Sequence, residues 1–252
     1  MSFDVAADAY DSFMGRYSRL LAGQMADLAG NEPGQRVLDV GCGPGALTAE
    51  LVERLGAANV TAVDPSSSFV EATRARFPGT SIFEASAEML PFADHEFDAA
   101  IAQLVVHFMA DPVAGLGEMK RVTRSGGAVA ACVWDHAGGL GPLGLFWRTA
   151  RELDPGVHDE SDLPGVRQGQ LGQLFAAAGM LDIVESVVSA DLEHPTFEDW
   201  WEPFSSGVGP AGTYVAGLDE ERRTRLREAC RRALPAGPFV IPARAWAVRG
   251  RA

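Results

Sequence analysis

The stretch VLDVGCGPGALT, residues 37–48, limits most sharply what this chain can fold into. Val37, Leu38 and Val40 suit a buried strand, with the acidic Asp39 near its end. Gly41, Gly43 and Gly45 then let the backbone turn sharply and lie against a ligand that a Cβ atom would push away. Leu47, Leu51 and Leu55 recur at helical spacing, so the loop feeds a helix N-terminus. A strand, a glycine loop and a helix in this order build half of a nucleotide-type pocket at the carboxyl edge of a parallel sheet. The expected ligand is a small molecule containing adenosine.

The rest of the chain supports a sheet of that kind. Tyr10, Phe13, Met14, Tyr17, Leu21, Met25 and Leu28 predict a helix over residues 3–29. Strands are expected near 35–41, 59–63, 80–84, 97–103 and 127–134, alternating with helices near 45–56, 66–76 and 112–123. Such alternation predicts a parallel sheet covered on both faces. Ser125-Gly126-Gly127 reads as a turn into the fifth strand. Beyond Trp134 come an insertion near 135–167, a helix near 168–179 and a strand from Leu181 to Leu192. A second, irregular insertion near 195–217, the Arg-bearing helix Asp219–Leu234 and a last strand, Phe239 to Val248, complete the chain. The last two strands suit an antiparallel pair at one sheet edge. By elimination the two insertions and the N-terminal helix should cover the pocket.

Composition narrows the partners. The chain has 252 residues and a formal charge of −13, from 34 acidic against 21 basic side chains. A nucleic-acid binder normally presents a basic face. The one Arg-dense stretch, Arg222 to Arg232, reads as a solvated helix face, with Leu218, Leu226 and Leu234 turned inward. No window approaches the roughly 18–20 apolar residues of a membrane helix. The acidic start MSFDVAADAYD is unlike a secretory signal. Cys42, Cys132 and Cys230 are too scattered for a disulfide framework or a zinc site, and no metal is expected. These features predict a cytoplasmic protein with small-molecule partners, touching neither nucleic acid nor membrane; a homodimer is left open.

Two further segments carry chemistry. Asp64 ends the second strand, where a carboxylate can accept both hydroxyl protons of a ribose, and Pro65 offers a flat surface to adenine. Asp64 also suits capping of the helix that begins near Ser66. In ASAEMLPF, residues 85–92, Ala87 and Glu88 follow the third strand, where the Glu88 carboxylate or a nearby N–H can read the adenine edge.

With these three motifs in order, the chain resembles the class I S-adenosylmethionine-dependent methyltransferases. Within them it is similar to the ubiquinone/menaquinone-biosynthesis type and its small-molecule relatives. VLDVGCGPG, Asp64, AEMLPF and RVTRSGGAVAACVWD carry the likeness, over roughly residues 8 to 134. The resemblance implies an α/β fold: a Rossmann-like, doubly wound seven-stranded sheet in the order 3-2-1-4-5-7-6, with strand 7 antiparallel. It implies one domain over 1–252, with a helical lid at 1–34, a cofactor-binding core at 35–134 and a C-terminal half at 135–252 bearing a small cap. It implies S-adenosyl-L-methionine as cofactor and S-adenosyl-L-homocysteine as product. Asp39 and the Gly41–Gly45 backbone would hold the methionine part, and Gln103 would sit beside the sulfonium. Two departures stand out: Ser86 where such proteins often carry an acid, and His107-Phe108 where they often carry two histidines.

Methyl transfer from a sulfonium is an in-line displacement, so alignment and exclusion of water dominate. His107, just past the fourth strand, is the expected general base, with His136 behind it. In the N-terminal helix, Tyr10 and Tyr17 offer aromatic faces to a sulfonium, and Arg16 or Arg19 a partner for the cofactor carboxylate. Trp147, Trp200, Trp201 and Phe204 suit either an acceptor pocket or the core of the cap. Two other functions fit the same residues. Gly41, Gly43 and Ala46 satisfy a relaxed dinucleotide pattern, which suits an NAD-dependent oxidoreductase. A binding protein that keeps the pocket without turnover is the other.

Overall fold

Alternate residues of the central strands face opposite layers, and both sets are apolar. The computed structural model describes residues 7–252; residues 3–6 of the expected first helix lie outside the described residues. The chain runs α1 (Ala7–Ala29), β1 (Val37–Val40), α2 (Ala46–Leu55), β2 (Val60–Asp64), α3 (Ser67–Arg76) and β3 (Ser81–Glu84). Next come β4 (Phe97–Gln103), α4 (Pro112–Val122), β5 (Thr123–Trp134), α5 (Gly144–Leu153), α6 (Gln170–Ala177) and β6 (Leu181–His194). The last elements are α7 (Phe197–Trp201), α8 (Gly209–Ala216), α9 (Glu220–Ala233) and β7 (Phe239–Arg251).

The strands form one seven-stranded sheet in the order β3-β2-β1-β4-β5-β7-β6. β1 to β5 pair in parallel, and β7 runs antiparallel between β5 and β6. This is the Rossmann-like arrangement expected. Val37, Ile101 and Ala130 face α1 and α2, where they meet Leu21, Met25, Leu47 and Leu51. Leu38, Ala100 and Val129 face the other way, onto Leu116 and Met119 of α4 and Phe175 of α6. Each such side chain taken fully out of water contributes about 1.5–3 kcal/mol. The period of two in the strands thus sets which helices cover which face.

Three elements differ from expectation. Ser125–Gly127 make no turn before β5 but lie within it, because the far end of the chain pairs with them. Gly126 N–H donates to Ala252 O (3.0 Å) and Ala252 N–H to Gly127 O (3.1 Å). The extra residues appear as a register shift opposite Phe97–Ala99. The 195–217 insertion is helical: Thr196 caps α7 by accepting from Asp199 N–H, and Pro210 sits in the first turn of α8, where its missing N–H costs nothing. Finally, α1 is a packed layer, with Phe13, Tyr17, Leu21 and Met25 buried. Only its first turns reach the carboxyl edge of the sheet.

Trp147, Trp200, Trp201 and Phe204 are buried together with Phe146, whose ring stacks on Phe204 with centroids 4.5 Å apart. They form the core of the cap. On α9, Leu226 and Cys230 point inward, while Arg227 and Arg231 pair with Glu198 of α7. No described helix is long and apolar enough to cross a membrane.

Candidate active site

A cleft of about 580 Å³ opens at the carboxyl ends of β1, β2 and β4, with α1 along one side. Its floor is the glycine loop. Gly41 N–H and Cys42 N–H both donate to Val63 O, at 2.8 and 2.9 Å, which folds the loop over β2. From α3, Thr73 Oγ1 donates to Gly43 O (2.7 Å) and Arg76 to Pro44 O (2.9 Å). Gly41 has φ 73°, and a Cβ there would stand 2.4 Å from Val105 Cγ2. Gly41→Ala is therefore expected to lower stability by about 2–4 kcal/mol, from left-handed strain plus overpacking. Urea unfolding measures this; an unchanged midpoint would show that the loop does not hold this shape. Gly43 (φ 52°) has nothing within 4 Å of such a Cβ, so its bare face is left to the cleft. Gly45 caps α2 and packs against Phe77 and Thr73, outside the cleft lining.

Asp64 is 6% exposed and is committed on both oxygens: Oδ2 accepts from Gly43 N–H and Oδ1 from Ser66 N–H, each at 2.9 Å. Burial raises its pKa despite those bonds. α3 is capped at Ser66, so Asp64 supports the turn before the cap. Asp39 is deeper, and burial pushes its pKa up to about 7, opposed by the Thr48 hydroxyl that donates to Oδ2 at 2.6 Å. Gln103 donates through Nε2 to Ser18 O (3.0 Å), while its Oε1 is buried with no hydrogen-bond partner. Pro65, Ala87 and Glu88 line the cleft, and Glu88 Oε1 accepts from Ala110 N–H (2.8 Å) and Asp111 N–H (3.3 Å). Its carboxylate fastens the segment after β4 as well as bordering the cleft.

Of the two tyrosines, only Tyr10 borders the cleft, and burial with the nearby Asp64 charge pushes its hydroxyl up to about 12. Tyr17 lies seven residues on, about 10 Å along the helix. Its ring meets Trp134 edge-on, and its hydroxyl lies 3.2 Å from His194 Nε2, so it is not in the cleft lining. Arg16 is engaged away from the cleft, with Asp199 (2.9 Å), whereas Arg19 pairs with Asp11 (2.6 Å), a cleft-lining carboxylate that Arg76 also meets at 3.2 Å. Among the described residues no Lys or Arg lines the cleft.

His107 is 2% exposed and sits on a short turn just past β4. It lines a second, smaller cavity that shares Tyr10, Leu104 and Phe108 with the main cleft. Burial, with His136 beside it, pulls its pKa well below the usual histidine value. The imidazole is thus neutral and free to accept a proton, yet holds one poorly. Leu104, on the shared wall, has φ 63°, a strained backbone for a leucine and a mark of functional sites.

The sequence model of the family described as methyltransferase domain matches residues 38–131, which span β1 to β5. An uncharacterised protein of Mycobacterium tuberculosis is 33% identical over 212 residues, covering 77% of this chain and 74% of that one. An uncharacterised methyltransferase of the same organism is 34% identical over 131 residues. The chain belongs to the class I S-adenosylmethionine-dependent methyltransferases. The match to that methyltransferase covers 52% of this chain and 47% of the relative, so the chain spans about half its length. Among solved structures, the YcgJ protein from Bacillus subtilis superposes with a TM-score of 0.58 at 17% identity, covering 91% of this chain and 97% of that one. That likeness is one of fold.

Several residues that shape the cleft escape a reading of motifs. Thr48, three residues past Gly45 in the first turn of α2, is placed by helix spacing alone. Thr73 and Arg76, one turn apart on α3, share the face that looks at the loop; that i, i+3 spacing was the available signal. Ser18 contributes its carbonyl to Gln103, for which side-chain chemistry gives no signal, and its hydroxyl to Tyr10.

Proposed function

We propose that the protein is an enzyme that moves a methyl group from S-adenosylmethionine to an O, N or C atom of a small-molecule acceptor. The observation that carries this reading is the charge of the cleft. Asp39, Asp64 and Glu88 border it along with Asp11, which is paired with Arg19 and Arg76 at the edge, and no described cationic side chain lines it. A ligand bearing an ammonium and a sulfonium suits that lining better than a dinucleotide pyrophosphate, whose larger negative charge only the α2 N-terminus would offset among these carboxylates. The residues fit the donor at three further points. The unpartnered Gln103 Oε1 is placed to accept from an α-ammonium, beside Asp39. Gly43 leaves space for a ligand's approach. α2 begins at Ala46 with no side-chain cap, so its first-turn N–H groups suit the ligand carboxylate in place of an arginine.

In this reading the whole chain acts as one domain, with the 35–134 core holding the donor and α1 and the cap enclosing it. Asp64 holds the ribose hydroxyls, and Pro65, Ala87 and Glu88 border the adenine. When bound, the donor supplies an activated methyl on a positively charged sulfur. The chain's residues then align the acceptor and keep water out; Tyr10, Leu104 and Phe108 border both the donor cleft and the second cavity, which meet at these residues. His107 orients the acceptor's hydrogen-bonding group from that cavity. His107→Ala is expected to slow transfer to hydroxyl acceptors about 10- to 100-fold, with S-adenosylhomocysteine affinity unchanged. Equal rates for variant and parent would remove His107 from the reaction.

A labelled-methyl screen over phenols, quinols, amines and small acids tests the activity. Transfer to one of these classes is expected. Bound cofactor with no transfer to any of them would leave a binding protein in place of an enzyme.

A further inference from the structure

The second cavity contains a buried carboxylate that the steps above leave unused. Glu160, on the 3-10 turn Glu160–Asp162 that follows α5, is 3% exposed and lines this cavity, whose volume of about 30 Å³ suits a single hydroxyl-sized group, together with His107. Its Oε2 accepts from Trp147 Nε1, which fixes the carboxylate from the cap side. The His107 Nδ1 atom is buried and has no hydrogen-bond partner, so the cavity holds an acceptor-rich polar end inside apolar walls that include Phe13 and Trp134.

Resting on the methyl-transfer reading, we propose that this cavity receives the uncharged hydroxyl end of the acceptor and that the Glu160 carboxylate takes its proton. The acceptor oxygen forms the new C–O bond, the C–S bond breaks with its electron pair returning to sulfur, and the hydroxyl proton passes to Glu160. Three features select a hydroxyl. A carboxylate or phosphate would lie beside Glu160 with no cation to match it, since Arg151 is held by Asp159 at 3.0 Å. An ammonium would pair with Glu160 and keep its lone pair bound to a proton, so it would not attack. A hydroxyl donates one hydrogen bond to Glu160 while keeping a lone pair for the methyl.

The other titratable groups around Glu160 are Asp159 and Arg151, and, across the cavities, His136, His107 and Tyr10. Burial and the Asp159 charge push Glu160 up to about 7, whereas His136 is pulled down to about 4 by burial. Near neutral pH, Glu160 is thus the group matched to accept and release a proton, and the histidines stay neutral.

The test uses the full chain saturated with S-adenosylhomocysteine and three probes of matched size: phenol, benzoate and benzylamine, titrated by calorimetry at pH 8. Phenol is expected to bind at least tenfold more tightly than benzoate, which meets the Glu160 carboxylate with no cation, whereas benzylamine, whose ammonium pairs with Glu160, reports that the carboxylate is ionised. Glu160→Gln should weaken phenol about tenfold and abolish its pH dependence, whereas in the parent chain phenol affinity falls as pH drops through about 7. S-adenosylhomocysteine affinity should be the same in both. Preference for benzoate, absence of phenol binding, or a Glu160→Gln variant with the parent's phenol affinity and pH profile would each overturn the proposal. If the parent chain fails to bind S-adenosylhomocysteine, the methyl-transfer reading itself fails, a result distinct from these.

Discussion

Asp64→Ala should cost the protein about 100-fold or more in S-adenosylhomocysteine affinity. Each charge-assisted hydrogen bond from a ribose hydroxyl is worth about 1.5–3 kcal/mol, and two are lost together. A second loss adds to the first. Asp64 also accepts from Gly43 N–H and Ser66 N–H, so its removal loosens the glycine loop and the turn into α3 at once. Stability should fall by about 1–3 kcal/mol, because two partly buried donors lose their acceptor, and the fold should survive. Asp64→Asn, which keeps one acceptor oxygen, should lie between the two. Calorimetry reads all three proteins, and an Asp64→Ala affinity within threefold of the parent would remove the ribose role.

Asp39→Asn should move stability and binding in opposite directions. In the folded chain burial holds the Asp39 pKa at about 7, against 3.8 for the free side chain. The folded state therefore resists ionising this group. Its contribution to stability is complete below the unfolded value and is lost as pH rises through about 7. At pH 8 an amide avoids the cost of a buried, ionised carboxylate, so unliganded Asp39→Asn should be more stable than the parent by about 2–4 kcal/mol. At pH 5 the folded Asp39 is protonated while the unfolded side chain is still ionised, so the gain should fall to less than half, vanishing only below the unfolded value of 3.8. The same variant should bind S-adenosylhomocysteine at least tenfold more weakly, because the carboxylate lying near the unpartnered Gln103 Oε1 is gone. Melting curves at the two pH values, without ligand, check the first half. A variant less stable than the parent at pH 8 would contradict it.

Both effects come from a segment that can be read in advance. The apolar runs Val37–Val40 and Val129–Val133 leave no polar face, so strands buried on both sides follow, and helices of amphipathic spacing must cover them. Sheet order was legible only through resemblance, since period and length do not say which strands are neighbours. What local pattern missed has physical reasons. Ser125–Gly127 look like a turn, but Gly126 and Gly127 hydrogen-bond to Ala252 at the other end of the chain, which no local window contains. The stretch near 195–217 reads as irregular, yet Gly209 and Pro210 start α8, where glycine and proline are tolerated. Tyr10 and Tyr17 share a stripe in the sequence, but two helical turns separate a residue at the cleft from one against Trp134. Arg16 and Arg19 look available until Asp199 and Asp11 are placed beside them. Glu160 lay in an acidic loop with no periodicity, and only the fold turns it toward His107.

The claim beneath all of this is that an acidic cleft over a glycine loop binds a ligand with an ammonium-bearing amino-acid tail and a ribose, and does not bind a pyrophosphate. Titration of the same preparation with S-adenosylhomocysteine and with NADH tests it most directly. The account predicts saturable, stoichiometric binding of S-adenosylhomocysteine that Asp64→Ala weakens about 100-fold or more, and no heat from NADH. Tight NADH binding with no response to S-adenosylhomocysteine would contradict it.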